Sequence, residues 1–198
     1  QVINISEEMF TMLSFAEDLY IKTSGLYDIT LGSLIIDEGF GPSVSISEES
    51  IQVSSKRFEF ISDSSIIKND NFQFDLSSIA KGFAVDSVSR ILLAAGKNNF
   101  LIDIGGEIII NGSKHNQPWA IGIQDPTSMN NSSIINIFGN DFLAVATSGE
   151  YRNFKYNDDG EMTSHTFNPI SKTSIPDKTY SVTVVSRVSS MEEDALAT

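Results

Sequence analysis

The chain contains no cysteine. That excludes a disulfide scaffold, cysteine-ligated zinc, an iron–sulfur cluster and a thiol nucleophile together, and leaves both redox compartments open. Positive charge is scarce: 13 Lys and Arg stand against 26 Asp and Glu, a net charge of -13, and the pI is near 4.4. No basic run exists to displace counterions from a polyanion. The chain is therefore not expected to bind nucleic acid or an anionic membrane surface. An anionic ligand must be met locally, by a metal ion, a helix N-terminus or one placed lysine. No apolar run approaches a membrane span. Neither Gly-x-Gly-x-x-Gly nor a Walker lysine loop is present, which removes the familiar dinucleotide and nucleotide signatures. The N-terminal Gln1-Val2-Ile3-Asn4 is neither a signal peptide nor an initiator methionine and reads as a processed or trimmed end.

What is present is ordinary in bulk and patterned in detail. The 198 residues are 40% hydrophobic and 20% charged, a globular composition with enough chain to bury a sizeable core. The length suits one domain or two small ones, and with no internal repeat and no linker residues 1–198 read as a single domain. Ser6, then Glu7 and Glu8, is an N-cap with acids in the first turn. Met9, Leu13, Ala16 and Tyr20 follow at helical spacing and Gly25 closes the segment, which predicts an amphipathic helix over 6–24. Residues 25–32 read as a loop, Gly39-Phe40-Gly41-Pro42 as a turn, and the Ser/Glu-rich stretch to Ser50 as a solvated connection. Alternation at 51–53, 58–60 and 72–74 predicts short strands.

A long helix follows, capped by Ser77 or Ser78. Ile79, Phe83, Val88, Leu92 and Ala95 would line one face, with Gly96 at the position after the C-cap. Beyond it the chain is mostly strand, over 100–104, 107–110, 119–123, 134–138, 143–147 and 180–185. Gly105-Gly106, Asn111-Gly112 and Asp158-Asp159-Gly160 supply turns. Residues 189–198 begin with two serines and three acids, a helix N-terminus. The fold class is α+β, with a mostly antiparallel sheet packed against helices.

Four segments carry chemistry. Asp75-Leu76-Ser77-Ser78-Ile79-Ala80-Lys81-Gly82 runs from extended chain into a helix, whose N-terminal amides and a lysine one turn in suit a phosphate. Asp103-Ile104-Gly105-Gly106-Glu107 places two glycines where backbone can approach a ligand closely. Thr147-Ser148-Gly149-Glu150-Tyr151 leads on to Ser164-His165-Thr166-Phe167-Asn168-Pro169, where His165 has a side chain that titrates near neutrality, as a general base needs. In Asp194-Ala195-Leu196-Ala197-Thr198, Asp194 and Thr198 are i and i+4 on a helix. Their hard oxygens suit Mg²⁺ better than zinc. Taken singly, each segment is equally an ordinary cap, hairpin, structural histidine or solvated acidic helix end.

Their order is the distinguishing feature. With Leu26-Tyr27-Asp28 and Gly39-Phe40-Gly41 upstream, the set resembles the FAD:protein FMN transferase (ApbE) family over nearly the whole chain. The resemblance implies an ApbE-like, T-fold-like α+β domain, with further family segments before Gln1 and after Thr198. It implies FAD as substrate, Mg²⁺ as cofactor, and transfer of FMN through its phosphate to a Thr or Ser hydroxyl of an acceptor flavoprotein, with AMP leaving. Carried over by motif, Leu26, Tyr27, Asp28, Asp75, Lys81 and Phe167 would contact FAD. Ser78 through its carbonyl, Asp194 and Thr198 would hold the metal, with the Ala197 carbonyl as a further ligand. His165 would take the acceptor's proton. The family's usual Asp-Pro-Thr reads Asp28-Ile29-Thr30 here, its Trp-Gly-Phe-Gly reads Glu38-Gly39-Phe40-Gly41, and its His-x-x-Asp-Pro-x-Thr-Gly runs from His165 to Lys172 with Asn168 and Ser171 in place of Asp and Thr. FAD hydrolysis at the same metal site and flavin binding without catalysis stay open beside transfer. The resemblance also implies an extracytoplasmic location.

Overall fold

The computed structural model describes residues 2–40, 57–128, 132–149, 154–156, 162–175 and 181–198. The expected strand at 51–53, the connection to Ser50, the Gly41-Pro42 half of its turn, Glu150-Tyr151, the Asp158-Asp159-Gly160 turn and the start of the last strand at Tyr180 lie outside these residues. The chain forms two compact units, one of Gln1–Leu76 with Phe167–Ile175 and one of Ser77–Thr166 with Pro176–Thr198.

In the first unit, helix α1 (Glu7–Lys22) starts where its sequence demands. Ser6 Oγ accepts from the Met9 amide at 3.2 Å, two acids occupy the first turn and Lys22 the last. Its buried stripe is Leu13, Ala16 and Leu19. Gly25, at φ +85°, ends it in the left-handed conformation, donating its amide to the Tyr20 carbonyl at 2.8 Å. Strands β1 (Val2–Asn4), β2 (Phe58–Ser62) and β3 (Ser65–Lys68) form an antiparallel sheet in the order β1-β3-β2. The second half of the expected loop at 25–32 is a 3₁₀ turn, Ile29–Leu31, leading into helix α2 (Gly32–Asp37).

The expected strand at 72–74 is not one. The Gln73 amide donates to Ser33 Oγ at 3.0 Å and its carbonyl accepts from Gly32 at 3.1 Å, so its backbone is spent on the head of α2 and not on a ladder. The alternating aromatic pattern serves packing instead. Phe10, Phe60, Phe58, Phe74 and Phe72 stack edge to face in sequence, with centroids 5.1–5.6 Å apart.

The second unit is built on helix α3 (Ala80–Ala94) and a four-stranded antiparallel sheet. The sheet strands are β4 (Phe100–Ile104), β5 (Glu107–Asn111), β8 (Leu143–Gly149) and β13 (Ser181–Ser186), in the order β13-β8-β5-β4. Between β5 and β8 comes the hairpin of β6 (Trp119–Gln124) and β7 (Ser133–Gly139), and after β8 that of β9 (Phe154–Tyr156) and β10 (Met162–Ser164). A two-residue pair, β11 (Phe167–Asn168) with β12 (Thr173–Ser174), belongs to the first unit.

The continuous apolar run of β5 follows from burial on both faces. Ile109 packs with Val85 of α3, Phe100, Ile102 and Ala144. Ile110, pointing the opposite way, packs with Ile121, Ile123 and Val145. The buried face of α3 is Gly82, Val85 and Ser89, whereas Val88, expected inside, is exposed. Helix α4 (Ser190–Ala197) closes the unit, with Ser189 as N-cap. The expected α+β architecture with mostly antiparallel pairing is the one observed.

Candidate functional site

Strand and helix periods bring the first two charged groups together. Val85 and Lys81 are i and i-4 on α3, and Ile109 and Glu107 are two apart on β5, so both pairs share a face. With Val85 and Ile109 in one core cluster, Lys81 meets Glu107 one step further along. The Lys81 ammonium donates to Glu107 Oε1, and Glu107 is only 1% exposed. The Gly105-Gly106 turn before β5 lies over this pair. Gly105 has φ +66°, and a Cβ on it would come within 3.4 Å of Lys81 Cδ and 3.8 Å of Glu107 Oε2. The turn is closed by Asp103, whose Oδ1 accepts from the Gly106 amide at 3.0 Å.

The third group arrives on α4. Asp194 is buried, its Oδ2 accepts the Gly82 amide at 3.0 Å, and its Oδ1 lies 3.9 Å from the Lys81 ammonium. Close helix approach makes this possible: a Cβ on Gly82 would come within 2.4 Å of the Ser190 carbonyl oxygen and 2.7 Å of Met191 Cα. The expected serine cap of α3 is thereby corrected. The N-cap position is Ile79, which has no side-chain cap bond, and the amide of the first turn is satisfied by Asp194 from the other helix. Asp86 of α3 returns the favour to α4. It accepts from Ser189 Oγ at 2.7 Å, the Ser190 amide at 2.8 Å and the Met191 amide at 3.0 Å.

The electrostatics follow from burial. Loss of water pushes the carboxyls of Asp194 and Glu107 above their ordinary values. The Gly82 amide, Lys81 and hydrogen bonding with the Glu107 carboxyl oppose the shift at Asp194. Lys81 opposes it at Glu107, where the neighbouring Asp194 charge adds to it. Glu193, also buried, is pushed up to about 7, chiefly by burial. The acidic start of α4 is thus buried rather than solvated.

The donor set is oxygen throughout and fits a hard cation. Thr198 Oγ1 donates its proton to the Asp194 carbonyl at 3.2 Å, so what it has left to offer is lone pairs. Ser78 lies in the turn before α3, and Ala197 is the last residue of α4. Among the described residues no group of three or more His, Asp and Glu is placed to hold a metal. A cation held here would draw on fewer acids plus hydroxyl, carbonyl and substrate oxygens, an arrangement that suits Mg²⁺.

The other expected site residues are placed as follows. His165 is half-buried in the bend after β10, with Ser164 Oγ accepting from the Thr166 amide at 3.2 Å. Phe167 is buried against Phe40 of the Gly39-Phe40 segment, centroids 6.2 Å apart. Tyr27 is buried and Leu26 is 58% exposed. Asp28 caps the 3₁₀ turn, accepting from the Thr30 amide at 2.8 Å and Thr30 Oγ1 at 2.7 Å, and pairs with Arg57. Arg57, which the sequence does not single out, is 6% exposed, reaches Glu17 at 3.2 Å and stacks on Tyr20 at 3.6 Å. The Asp75 amide donates to the Ile29 carbonyl at 2.7 Å. The structure thus joins Lys81 and Asp194 in one cluster, with Thr198 one turn after Asp194 on α4, and adds Glu107. Its sequence signal was an acid opening an otherwise apolar strand directly after Gly-Gly.

The FAD:protein FMN transferase of Vibrio cholerae is 33% identical over 98% of this chain and 60% of its own length, and that of Klebsiella pneumoniae 30% identical over 91% and 55%. Among solved structures, the ApbE protein of Thermotoga maritima superposes with a TM-score of 0.80 at 26% identity, covering 100% of this chain and 66% of its own. The flavin transferase ApbE of Vibrio cholerae gives 0.77 at 31%, covering 100% and 65%. The chain spans about 60% of the length of the curated relatives it matches. The ApbE family model matches residues 1–198, and the chain belongs to the ApbE family.

Proposed function

We propose that the protein is an Mg²⁺-dependent FAD:protein FMN transferase that moves FMN from FAD to a Thr or Ser hydroxyl of an acceptor flavoprotein. The observation that carries this reading is the cluster at the head of α3, where Lys81, the Gly82 amide and Asp194 meet. A helix N-terminus with a lysine in its first turn, as Lys81 is in α3, suits a phosphate. Here, however, one ammonium already faces two buried carboxylates, so Lys81 alone leaves the cluster at a net charge of about -1 before a pyrophosphate arrives. Asp194, Thr198 and the Ser78 and Ala197 carbonyls would hold a divalent cation, which would reverse that sign. When bound it neutralises pyrophosphate charge and steadies the leaving phosphate.

The chain's own residues do the rest. Lys81 orients the phosphates. His165 accepts the proton of the acceptor hydroxyl as its oxygen bonds to the FMN phosphorus. The bond from that phosphorus to the bridging oxygen breaks, and AMP departs with the oxygen. Relatives of the same family carry the transferase name, which supports the reading. Extracytoplasmic placement belongs to the same proposal.

Asp194→Asn tests it. AMP release from FAD is expected to be sensitive to EDTA in the wild type and to fall by about a hundredfold or more in the variant, with the circular dichroism spectrum retained. Unchanged turnover would remove Asp194 from the metal site. His165→Ala is expected to slow transfer far more than it weakens FAD binding.

A further inference from the structure

We propose that Glu107 completes the cation site, its Oε2 serving beside the Asp194 carboxylate as a second acidic ligand of the divalent ion. The inference rests on the metal-dependent reading above. Glu107 Oε1 is occupied by the Lys81 ammonium, but Oε2 is fully buried and has no hydrogen-bond partner among the described residues. A buried carboxylate oxygen without a donor is strongly unfavourable unless a cation or a proton donor meets it. The preceding turn puts a glycine beside it: the absent Cβ of Gly105 would stand 3.8 Å from this oxygen. Asp194 acts on Glu107 electrostatically, so the two carboxylates confront one another with Lys81 between them. Two acids and one ammonium leave a single negative charge beside this buried oxygen. A divalent cation satisfies the orphan oxygen and the charge together.

The test is Mn²⁺ affinity, read by electron paramagnetic resonance of the free ion with ADP as a non-transferring pyrophosphate probe. The wild type is expected to bind, Asp194→Asn to lose binding, and Glu107→Gln to weaken it about tenfold or more. The same weakening is expected when Glu107→Gln is added to Lys81→Met. That double variant is also the fallback should the single one fail to fold, since it removes the ion pair as a unit. Equal Mn²⁺ affinity in wild type and Glu107→Gln overturns this inference and leaves the Asp194 site standing. A Glu107→Gln effect that vanishes in the Lys81→Met background also overturns it, because Glu107 then acts only by positioning the lysine. A wild type that binds no Mn²⁺ overturns the metal reading itself.

Discussion

The Gly82 amide donates to Asp194 Oδ2 at 3.0 Å, so a carboxylate 112 residues further along the chain caps the first turn of α3. Asp86, one turn after Gly82, caps α4 in return. Each helix completes the other's unsatisfied amides, and the same contact sets Asp194 3.9 Å from Lys81. Stability of the helix pair and assembly of the site are therefore one property.

Replacing Gly82 by Ala separates the helices. The new Cβ would overlap main-chain atoms of Ser190 and Met191, which cannot rotate away. Gly82→Ala is expected to destabilise the protein by about 2 kcal/mol, as overpacking does. It is also expected to weaken FAD binding in the fraction that folds. Urea unfolding followed by circular dichroism measures the first effect. A change below about 0.5 kcal/mol would mean that the helices do not need this close approach.

Asp86→Ala removes the acceptor for three donors at the start of α4. A loss of about 2 kcal/mol is expected, the upper range for a helix cap. Asp86→Asn, which keeps one acceptor oxygen, should recover part of it. Equal urea midpoints for the alanine variant and the wild type would contradict the cap.

Glu193 ties stability to pH. Its carboxyl is raised from 4.5 to about 7, chiefly by burial. Between these values the folded state holds a proton that the unfolded chain has lost, so stability falls as pH rises through this window. Above it, both states are ionised and the folded state carries a buried charge. Glu193→Gln is expected to raise the urea midpoint at pH 8 and to change it little at pH 4. Parallel midpoint curves for variant and wild type from pH 4 to pH 8 would show that Glu193 does not titrate in that interval.

Arg57 organises the first unit by pairing with Asp28 and Glu17 and stacking on Tyr20. Arg57→Met leaves the buried Asp28 carboxylate without its cation, and a loss of about 3 kcal/mol is expected, as for a broken buried pair. Arg57→Lys should restore little of it, since an ammonium cannot serve both acids and lie flat on the ring. Full recovery by lysine would mean that charge alone matters.

Local signals in the sequence translate directly into structure. Ser6 with Glu7 and Glu8 starts α1, and Gly105-Gly106 between two strand-like runs makes the β4–β5 hairpin. Nonlocal partners do not show. The head of α3 reads as a serine cap because nothing near Ser78 reveals that Asp194 will supply the acceptor. Phe72 to Phe74 alternates like a strand, although Gly32 and Ser33 claim its backbone groups. The Ser65–Lys68 strand is too short to announce itself and is held by Val2–Asn4 from the far end of the unit. At the site, Lys81 and Asp194 stand out only through the order of the motifs. Glu107 was visible within its glycine turn, but its meeting with Lys81 depends on β5 packing against α3, a relation between periods in two separate elements.

The most direct measurement mixes the full chain with FAD, Mg²⁺ and an acceptor flavoprotein domain carrying a Thr site, then weighs the intact acceptor while following AMP in the same tube. FMN transfer predicts an acceptor heavier by one FMN less water, with AMP in equal amount and both lost on adding EDTA. AMP with free FMN and an unmodified acceptor, or FAD left intact in the presence of Mg²⁺, would contradict it.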